Sequence, residues 1–131
     1  MDGYDKWMAA EDAKRAKGRE RVAALFSEAQ IHDLVKQLAS KMAVHASVAE
    51  RLAKVEMFSE FRSEASSASA CTHVAWDLLN AYESGRPITL KARLQSAHER
   101  LAVSDYDVKT HKATLRKLER KEAAAAKKKA A

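Results

Sequence analysis

The histidines and the single cysteine of this 131-residue chain are not spaced like the ligands of a metal site. His98 and Glu99 begin like the His-Glu-x-x-His motif of zinc proteases, but Ala102 stands where the second histidine ligand is required. Cys71 and His73 are two residues apart, so on a helix their side chains point in nearly opposite directions. These patterns therefore predict no metal.

The remaining groups with catalytic potential also lack their usual companions. Glu60 and Glu64 share a helix face, but no Glu-x-x-His pattern completes a di-iron site, and we interpret this face as solvated. His45 falls in an apolar seam, where a histidine is usually a satisfied core-edge residue that can tune stability with pH. The sequence has no glycine-rich phosphate loop and no serine or cysteine nucleophile in a recognisable setting. We predict a protein that is not an enzyme and holds no cofactor.

Positive charge is the strongest chemical signal, and it is concentrated in the C-terminal third. The whole chain carries a net charge of +6. Residues 86–131 hold thirteen Lys and Arg against five acids, a net +8, whereas residues 1–85 hold eleven bases against thirteen acids, a net −2. Such asymmetry is typical of a surface that binds nucleic acid or another polyanion. The alternative is a lysine-rich solubilising tail on an ordinary helical bundle.

The elements that must position this charge are predicted to be helices. Three glycines and one proline are few for a chain built on tight turns, and residue types that favour helices dominate. No apolar run approaches the ~20 residues that span a bilayer, so we expect no membrane insertion. The N-terminus lacks the pattern of a signal peptide, and the single cysteine excludes an internal disulfide. We expect an intracellular protein, either cytoplasmic or nucleoid-associated.

The first predicted helix spans about 5–29 and carries the N-terminal aromatic residues. Its middle, 11–21, is almost wholly charged or small, and is either a solvated helix or a loosely ordered arm. Trp7 and Met8 are large apolar residues near the beginning of this helix, and such residues usually belong to the core. If the first helix is an arm, Trp7 and Met8 instead become anchors that dock a partner subunit.

Two further helices are predicted in the N-terminal region. A long helix is predicted over 31–56, because the members of one seam recur at alternating spacings of four and three. The seam consists of Ile31, Val35, Leu38, Met42, His45, Ala49 and Leu52. A third apolar stripe covers 58–82 and passes through the small residues 65–71. We predict that this stretch is helical and is not a linker, because the periodicity continues through it.

The C-terminal part begins at a helix stop and is predicted to contain two more helices. Glycine and proline within 85–87 end the third helix, and Thr89 can cap the fourth. A break at 102–104 leads to the last helix, with Ser104 as its cap. A basic extension, 121–131, completes the chain.

Residues 97–120 have the spacing of a helix-turn-helix. Two helices joined by a very short turn would pack through apolar positions, and the second would present its outer face to the major groove of DNA. The apolar positions are Ala97, Leu101, Val103, Val108 and Leu115, with Val103 filling the corner between the helices. The segment from Leu101 to His111 resembles the DNA-binding helix-turn-helix of bacterial quorum-response and response-regulator activators. His98, Ala102 and Asp107 stand where that motif usually has alanine, glycine and threonine.

The resemblance implies two kinds of contact with DNA. The residues that would face the bases are Lys109 and Thr110, together with Tyr106 and Ala113. The residues that would contact phosphate, which supplies affinity without sequence information, are Lys112, Arg116 and Arg120. The alternative interpretation is an ordinary helical hairpin inside a bundle.

The expected fold is all-α, with four to five helices in a bundle, and two functional hypotheses remain. In the first, the protein is a non-enzymatic nucleic-acid-binding regulator. Residues 1–85 then dock a protein partner or form a homo-oligomer, residues 86–120 bind DNA as a helix-turn-helix, and residues 121–131 form a basic helical tail. In the second, the chain is a small structural or adaptor subunit of a larger protein or nucleoprotein complex. Its basic C-terminal helix then docks on RNA, DNA or an acidic protein without reading sequence.

Overall fold

Residues 3–130 form five helices in the computed structural model, which describes their backbone and all of their side chains except those of residues 106–108 and 110. The helices are α1 (Gly3–Leu25), α2 (Glu28–Lys54), α3 (Phe58–Glu83), α4 (Pro87–Thr110) and α5 (Lys112–Ala130). This span contains no strand, so the predicted all-α class is confirmed. Within the described residues, no helix has both the length and the apolar character needed to cross a lipid bilayer.

The bundle consists of α2, α3 and the consecutive pair α4 and α5. The most extensive helix contact is between α2 and α3, which run antiparallel on either side of a short corner. α4 packs along α3 and α2, and α5 continues along the half of α2 nearest that corner. α1 crosses the opposite end of the bundle, where it contacts α3 and α4.

Two apolar clusters fill the bundle, one toward each end. The larger cluster lies where α1 crosses, and its buried members are Val22, Ile31, Leu34, Leu38, Leu78, Ala81, Leu90, Leu94, Ala97 and Leu101. The smaller cluster lies at the corner between α2 and α3, and its buried members are Leu52, Met57 and Leu118. Between them, His45 and Glu64 are 1% and 7% exposed. The core is therefore divided by buried polar residues.

The predicted apolar seam of α2 is confirmed along most of its length. Its buried members are Ile31, Leu38, His45, Ala49 and Leu52. Val35 and Met42 are half-buried, whereas Leu34, which lies outside the predicted seam, is buried. The buried face is therefore wider near the N-terminal end of α2, where α1 and α4 also cover it.

The small residues of α3 allow a neighbouring helix to approach closely. The stretch 65–71 is helical, as predicted. Cys71 is completely buried within it, and its Sγ lies 3.4 Å from Oγ of Ser104 on α4. A larger side chain at Cys71 would push the two helices apart.

The predicted break at 102–104 is wrong, because α4 continues through these residues without interruption. Val103 does not fill a corner between two helices; its side chain is 46% exposed on the surface of α4. Residues 102–104 contain neither glycine nor proline, so their backbone can continue a helix that tertiary packing stabilises.

Ser104 forms tertiary contacts and does not cap a helix. Its side chain is completely buried beside Cys71, and its hydroxyl accepts hydrogen bonds of 3.4 and 3.3 Å from the guanidinium of Arg100. The actual interruption lies at His111, between α4 and α5. The carbonyl of His111 accepts a hydrogen bond from the backbone N–H of Leu115, so His111 stands at the start of α5.

Gly85 ends α3, as predicted. It adopts a φ of +63°, and the N–H of Arg86 donates to the carbonyl of Ala81, the hydrogen bond that closes a glycine-terminated helix. Pro87 then begins α4, so the predicted cap at Thr89 is wrong. Proline suits the first position of a helix because its missing N–H would have no intrahelical acceptor there.

Candidate nucleic-acid interface

A narrow apolar edge holds the basic helix α5 against the bundle. Leu118 is completely buried with Leu52 and Met57, and Leu115 packs against the same cluster. Leu115 and Leu118 are three residues apart, so they lie on one face of α5. The opposite face of the helix is thereby turned toward solvent.

An ion pair fixes the same edge of α5 near the end of α2. The guanidinium of Arg51 donates to the carboxylate of Glu122, with N–O distances of 3.0 and 2.5 Å. This hydrogen bond is the main reason that the pKa of Arg51 is raised and the pKa of Glu122 is lowered, and the charge of Glu119 adds to the effect on Arg51. Glu122 therefore lies on the side of α5 that faces α2, where Arg51 neutralises it.

A buried polar cluster supports the junction between α4 and α5. The Glu64 carboxylate lies 2.6 Å from Nδ1 of His45 and 3.4 Å from Nδ1 of His111. The prediction that Glu64 belongs to a solvated face is therefore wrong, because α2 and the α4–α5 junction cover it. Nε2 of His45 has no hydrogen-bond partner among the described groups, and all three residues line a cavity of about 40 Å³.

This polar cluster has a structural role in the arrangement of helices. The described residues contain no group of three His, Cys, Asp or Glu side chains placed to hold a metal ion. Glu64 instead connects α3 to α2 through His45 and to the start of α5 through His111. The Glu64 carboxylate therefore helps to hold the junction between α4 and α5 against α2 and α3.

The solvent-facing side of α5 carries a row of bases. Lys112, Arg116 and Arg120 are all exposed, and their spacing of four residues places them along one side of the helix over about 12 Å. Lys117 and Lys121 are exposed beside this row. We call these five residues the α5 basic face. The helix continues beyond them to the exposed Lys127, Lys128 and Lys129.

The residues predicted to contact nucleic acid do not all lie on this face. The three predicted phosphate contacts form the row itself. Lys109 is exposed, but it belongs to the last turn of α4, before the interruption at His111. Lys109 therefore does not lie on the helix that follows the turn, where the helix-turn-helix resemblance places it. Tyr106 and Thr110 also fall within α4, and their side chains lie outside the described residues.

A groove of about 600 Å³ runs beside the α5 basic face. It is lined by Lys117, Arg120 and Lys121 from α5 and by Glu56, Met57, Phe58, Ser59 and Glu60 from the corner between α2 and α3. Phe58 is 53% exposed, although Met57 next to it is buried in the smaller apolar cluster. An exposed aromatic ring beside cations is the combination by which many proteins bind single-stranded nucleic acid.

α1 supplies the second predicted site, the partner-docking residues. It ends at Leu25, four residues earlier than predicted, and its charged middle is a solvated helix. Trp7 is 57% exposed and its ring centroid lies 6.3 Å from that of Tyr4, whereas Met8 is half-buried. Trp7 thus lies outside the buried core, and docking through Trp7 and Met8 stays a prediction.

Two residues that position α5, Glu64 and Arg51, were not assigned this role from the sequence. Apolar periodicity shows which side of a helix is buried, but it does not show which polar residues of other helices will meet there. One signal was available: a histidine in a core seam needs a hydrogen-bond partner, so His45 indicates a polar residue on a facing helix. Arg51 had no comparable signal, because its partner Glu122 lies far away in the chain.

Comparison with protein-family models, with curated proteins and with solved structures finds no match to the chain. Function must therefore be inferred from the described residues themselves.

Proposed function

We propose that the protein is a non-enzymatic nucleic-acid-binding protein whose α5 basic face contacts the phosphate backbone without reading base sequence. The row of Lys112, Arg116 and Arg120 carries this proposal, because it places exposed positive charge once per helical turn. Each base can neutralise a phosphate along a strand. One of the two acids of α5, Glu122, is paired with Arg51 on the side of the helix that faces α2, so its charge opposes this attraction least.

The groove beside the α5 basic face favours a single strand as the bound form. Phe58 exposes its ring to the groove, where it can stack on an unpaired base, while Lys117 and Lys121 neutralise the adjacent phosphates. A duplex keeps its bases stacked on one another and offers no such contact. The continuous α4 also removes the corner that would aim a recognition helix into a major groove, so we expect no preference for sequence.

The test measures binding of labelled poly(U) and of a random-sequence duplex by fluorescence anisotropy across a salt series. Affinity should fall linearly with salt on logarithmic axes, as it does when bound phosphates release counterions. Replacing Lys112, Arg116 and Arg120 together by glutamine should weaken poly(U) binding by tenfold or more, and should reduce the salt slope by about 2, since each single-strand phosphate contact contributes ~0.7.

A matched control replaces three exposed bases elsewhere by glutamine, namely Arg21 on α1, Lys36 on α2 and Lys91 on α4. This variant has the same net charge as the test variant and should keep the wild-type salt slope. An equal loss in both variants would show that overall charge, and not the α5 basic face, attracts the strand. Absence of binding to either polyanion at low salt would also overturn the proposal.

A variant at Lys109 distinguishes contact with the phosphate backbone from contact with the bases. We expect Lys109→Ala to weaken binding to all sequences by the same factor, because Lys109 does not lie on a recognition helix. The variant is tested against several duplex sequences in parallel. A loss confined to one sequence would contradict our proposal and restore a base-reading role.

A second candidate function, a structural or adaptor subunit of a larger complex, is favoured by the exposed aromatic residues of α1. Tyr4 and Trp7 expose large rings on a helix whose first half lies outside the apolar clusters. If this surface joins two copies of the chain, sedimentation velocity should detect concentration-dependent association that Trp7→Ala abolishes. A wild-type protein that remains monomeric at all concentrations would contradict self-association through α1.

A further inference from the structure

A cationic cleft lies at the end of the bundle opposite the α5 basic face, where α1 crosses the corner between α3 and α4. Its volume is about 420 Å³, within the range of small-molecule binding sites. Its lining includes the bases Lys14, Arg15, Arg19 and Arg86, the acids Glu11 and Glu83, and the polar residues Asn80 and Ser84. Bases thus outnumber acids in this cleft by four to two.

Three arginines give the cleft its chemical character. Within the described part of the chain, Arg15, Arg19 and Arg86 form no ion pair, whereas Lys14 lies 3.5 Å from Glu11. A guanidinium group matches two oxygens of a phosphate at once, which a point charge such as lysine does not. The cleft therefore keeps an excess of positive charge, because its four bases face only two acids and one of those acids is paired with Lys14.

The crossing of two backbones holds these arginines together. A Cβ atom on Gly18 would overlap the carbonyl oxygen of Gly85, so α1 can approach the corner this closely because neither position carries a side chain. Arg19 follows the first glycine and Arg86 follows the second. The close approach thus brings two arginines from distant parts of the sequence to the same cleft, and the positive end of the α4 helix dipole lies next to Arg86.

An aromatic groove adjoins the cationic cleft. It has a volume of about 190 Å³ and is lined by Trp76, Leu79, Asn80 and Glu83. Asn80 and Glu83 line both concavities, so the groove and the cleft are neighbours on this part of α3. Trp76 is 59% exposed, which leaves its ring free to stack against a planar group.

We propose that the cleft and the groove together bind a nucleotide-like small molecule, with linked phosphates among Arg15, Arg19 and Arg86 and a planar ring against Trp76. The amide of Asn80, at the boundary, can donate to or accept from either part of the ligand. This site does not depend on nucleic-acid binding by α5, because the two surfaces occupy opposite ends of the bundle.

The experiment is isothermal titration of the full chain with ADP, inorganic pyrophosphate and adenosine. The protein carries the glutamine replacements at Lys112, Arg116 and Arg120, so that the α5 basic face does not contribute. ADP should bind about tenfold more tightly than pyrophosphate, the usual effect of stacking one base on an aromatic ring, and adenosine should bind most weakly. In a Trp7→Phe background, ADP should also quench the fluorescence of Trp76.

Single replacements then test each half of the site. Arg19→Gln and Arg86→Gln should each weaken both ADP and pyrophosphate by about tenfold, the effect of losing one charge-assisted contact. Trp76→Ala should reduce ADP affinity to that of pyrophosphate and leave pyrophosphate unchanged. Arg62→Gln, at an exposed position near the other end of α3, is the matched control and should change neither.

Three results would overturn this inference. They are failure of both ADP and pyrophosphate to bind at low salt, an equal loss in the Arg62→Gln control, and an ADP preference that survives Trp76→Ala. Circular dichroism of each variant verifies that it keeps the wild-type helix content.

Discussion

The two ends of the bundle both concentrate positive charge, but they display it on surfaces of different shape. At the α1 end, Arg15, Arg19 and Arg86 come from two distant segments and surround a cleft. At the α5 end, the bases repeat along the open side of one helix. A concave group of charges can surround one compact anion, whereas a row of charges matches an anion that repeats along a chain. The two surfaces that we propose therefore differ in the kind of anion that they would bind.

The apolar clusters beneath these ends also differ. The larger cluster joins α1, α2, α3 and α4, whereas the smaller one joins α5 to the α2–α3 corner through three buried residues. Because opening a region costs free energy in proportion to the contacts that it breaks, the α5 end should open locally more readily than the α1 end. The compact site that we propose therefore lies at the end that should open less readily, and the extended surface that we propose lies at the end that should open more readily.

The largest expected effect is a loss of stability from Leu78→Ala. Leu78 is completely buried in the larger cluster, and removing such a side chain typically costs about 3–5 kcal/mol. Leu118→Ala makes the same change at the other end and should cost less, about 2–3 kcal/mol, because an exposed helix can settle into the space. Urea denaturation followed by helix content measures both losses.

Hydrogen exchange of the Leu118→Ala variant shows whether the softer end opens alone. Exchange should accelerate in α5 and remain near wild type in α3. An equal acceleration in both helices would contradict the distinction, because it would mean that the two ends unfold as one unit.

The next largest effect concerns the backbone crossing at the α1 end. Gly85→Ala should destabilise the protein by about 2–4 kcal/mol, since alanine at positive φ is strained and its Cβ would overlap the backbone of Arg19. Thermal denaturation measures the change. Gly3→Ala is the matched control: its Cβ meets nothing within 4 Å, and alanine favours the helix at that position. Similar losses in the two variants would argue against a close crossing at Gly85.

The corner between α2 and α3, at the α5 end, allows the reverse substitution, in which glycine replaces a residue with a positive φ. α2 ends with the same hydrogen-bond pattern as α3, the N–H of Met57 donating to the carbonyl of Leu52, but Glu56 occupies the position of positive φ, at 60°. Glu56→Gly should therefore stabilise the protein by about 1 kcal/mol. Glu60→Gly, the same substitution inside α3, should destabilise it by about 1 kcal/mol. Matched losses in the two variants would show that Glu56 is not strained.

The fold was largely predictable because its main signals are local. The seam of α2, the helical small-residue stretch of α3 and the stop at Gly85 all follow from spacing and residue type, and all three are confirmed. The break at 102–104 was wrong because Ser104 resembles a helix cap in sequence. In the structure, Cys71 and Arg100 satisfy its hydroxyl, so a tertiary contact outweighs the local signal.

The candidate binding surfaces were predictable where they lie on one helix and unpredictable where they join several helices. Charge and a spacing of four residues indicated the row of Lys112, Arg116 and Arg120, and these residues share one face. The cationic cleft had no such signal, because Arg19 and Arg86 meet through a crossing of helices that periodicity does not specify. Packing makes neighbours of residues that lie far apart in the sequence, and such contacts leave no local pattern from which they could be predicted.

The smallest expected effect is the pH dependence of stability that comes from the ion pair at the α5 end. The hydrogen bond from Arg51 lowers the pKa of Glu122 below its ordinary value of 4.5. A carboxyl with a lower pKa in the folded state stabilises that state above its unfolded pKa, and the contribution disappears as the pH falls through the folded value. The urea midpoint of wild type should therefore exceed that of Glu122→Gln by a small amount at pH 7 and at pH 5, and the two should converge toward pH 3. Glu20→Gln, on an exposed part of α1, should show no such difference from wild type at any of these pH values. If the gap between wild type and Glu122→Gln stays constant down to pH 3, the ion pair is not what holds α5 to the end of α2, and the apolar edge at Leu118 must do so alone.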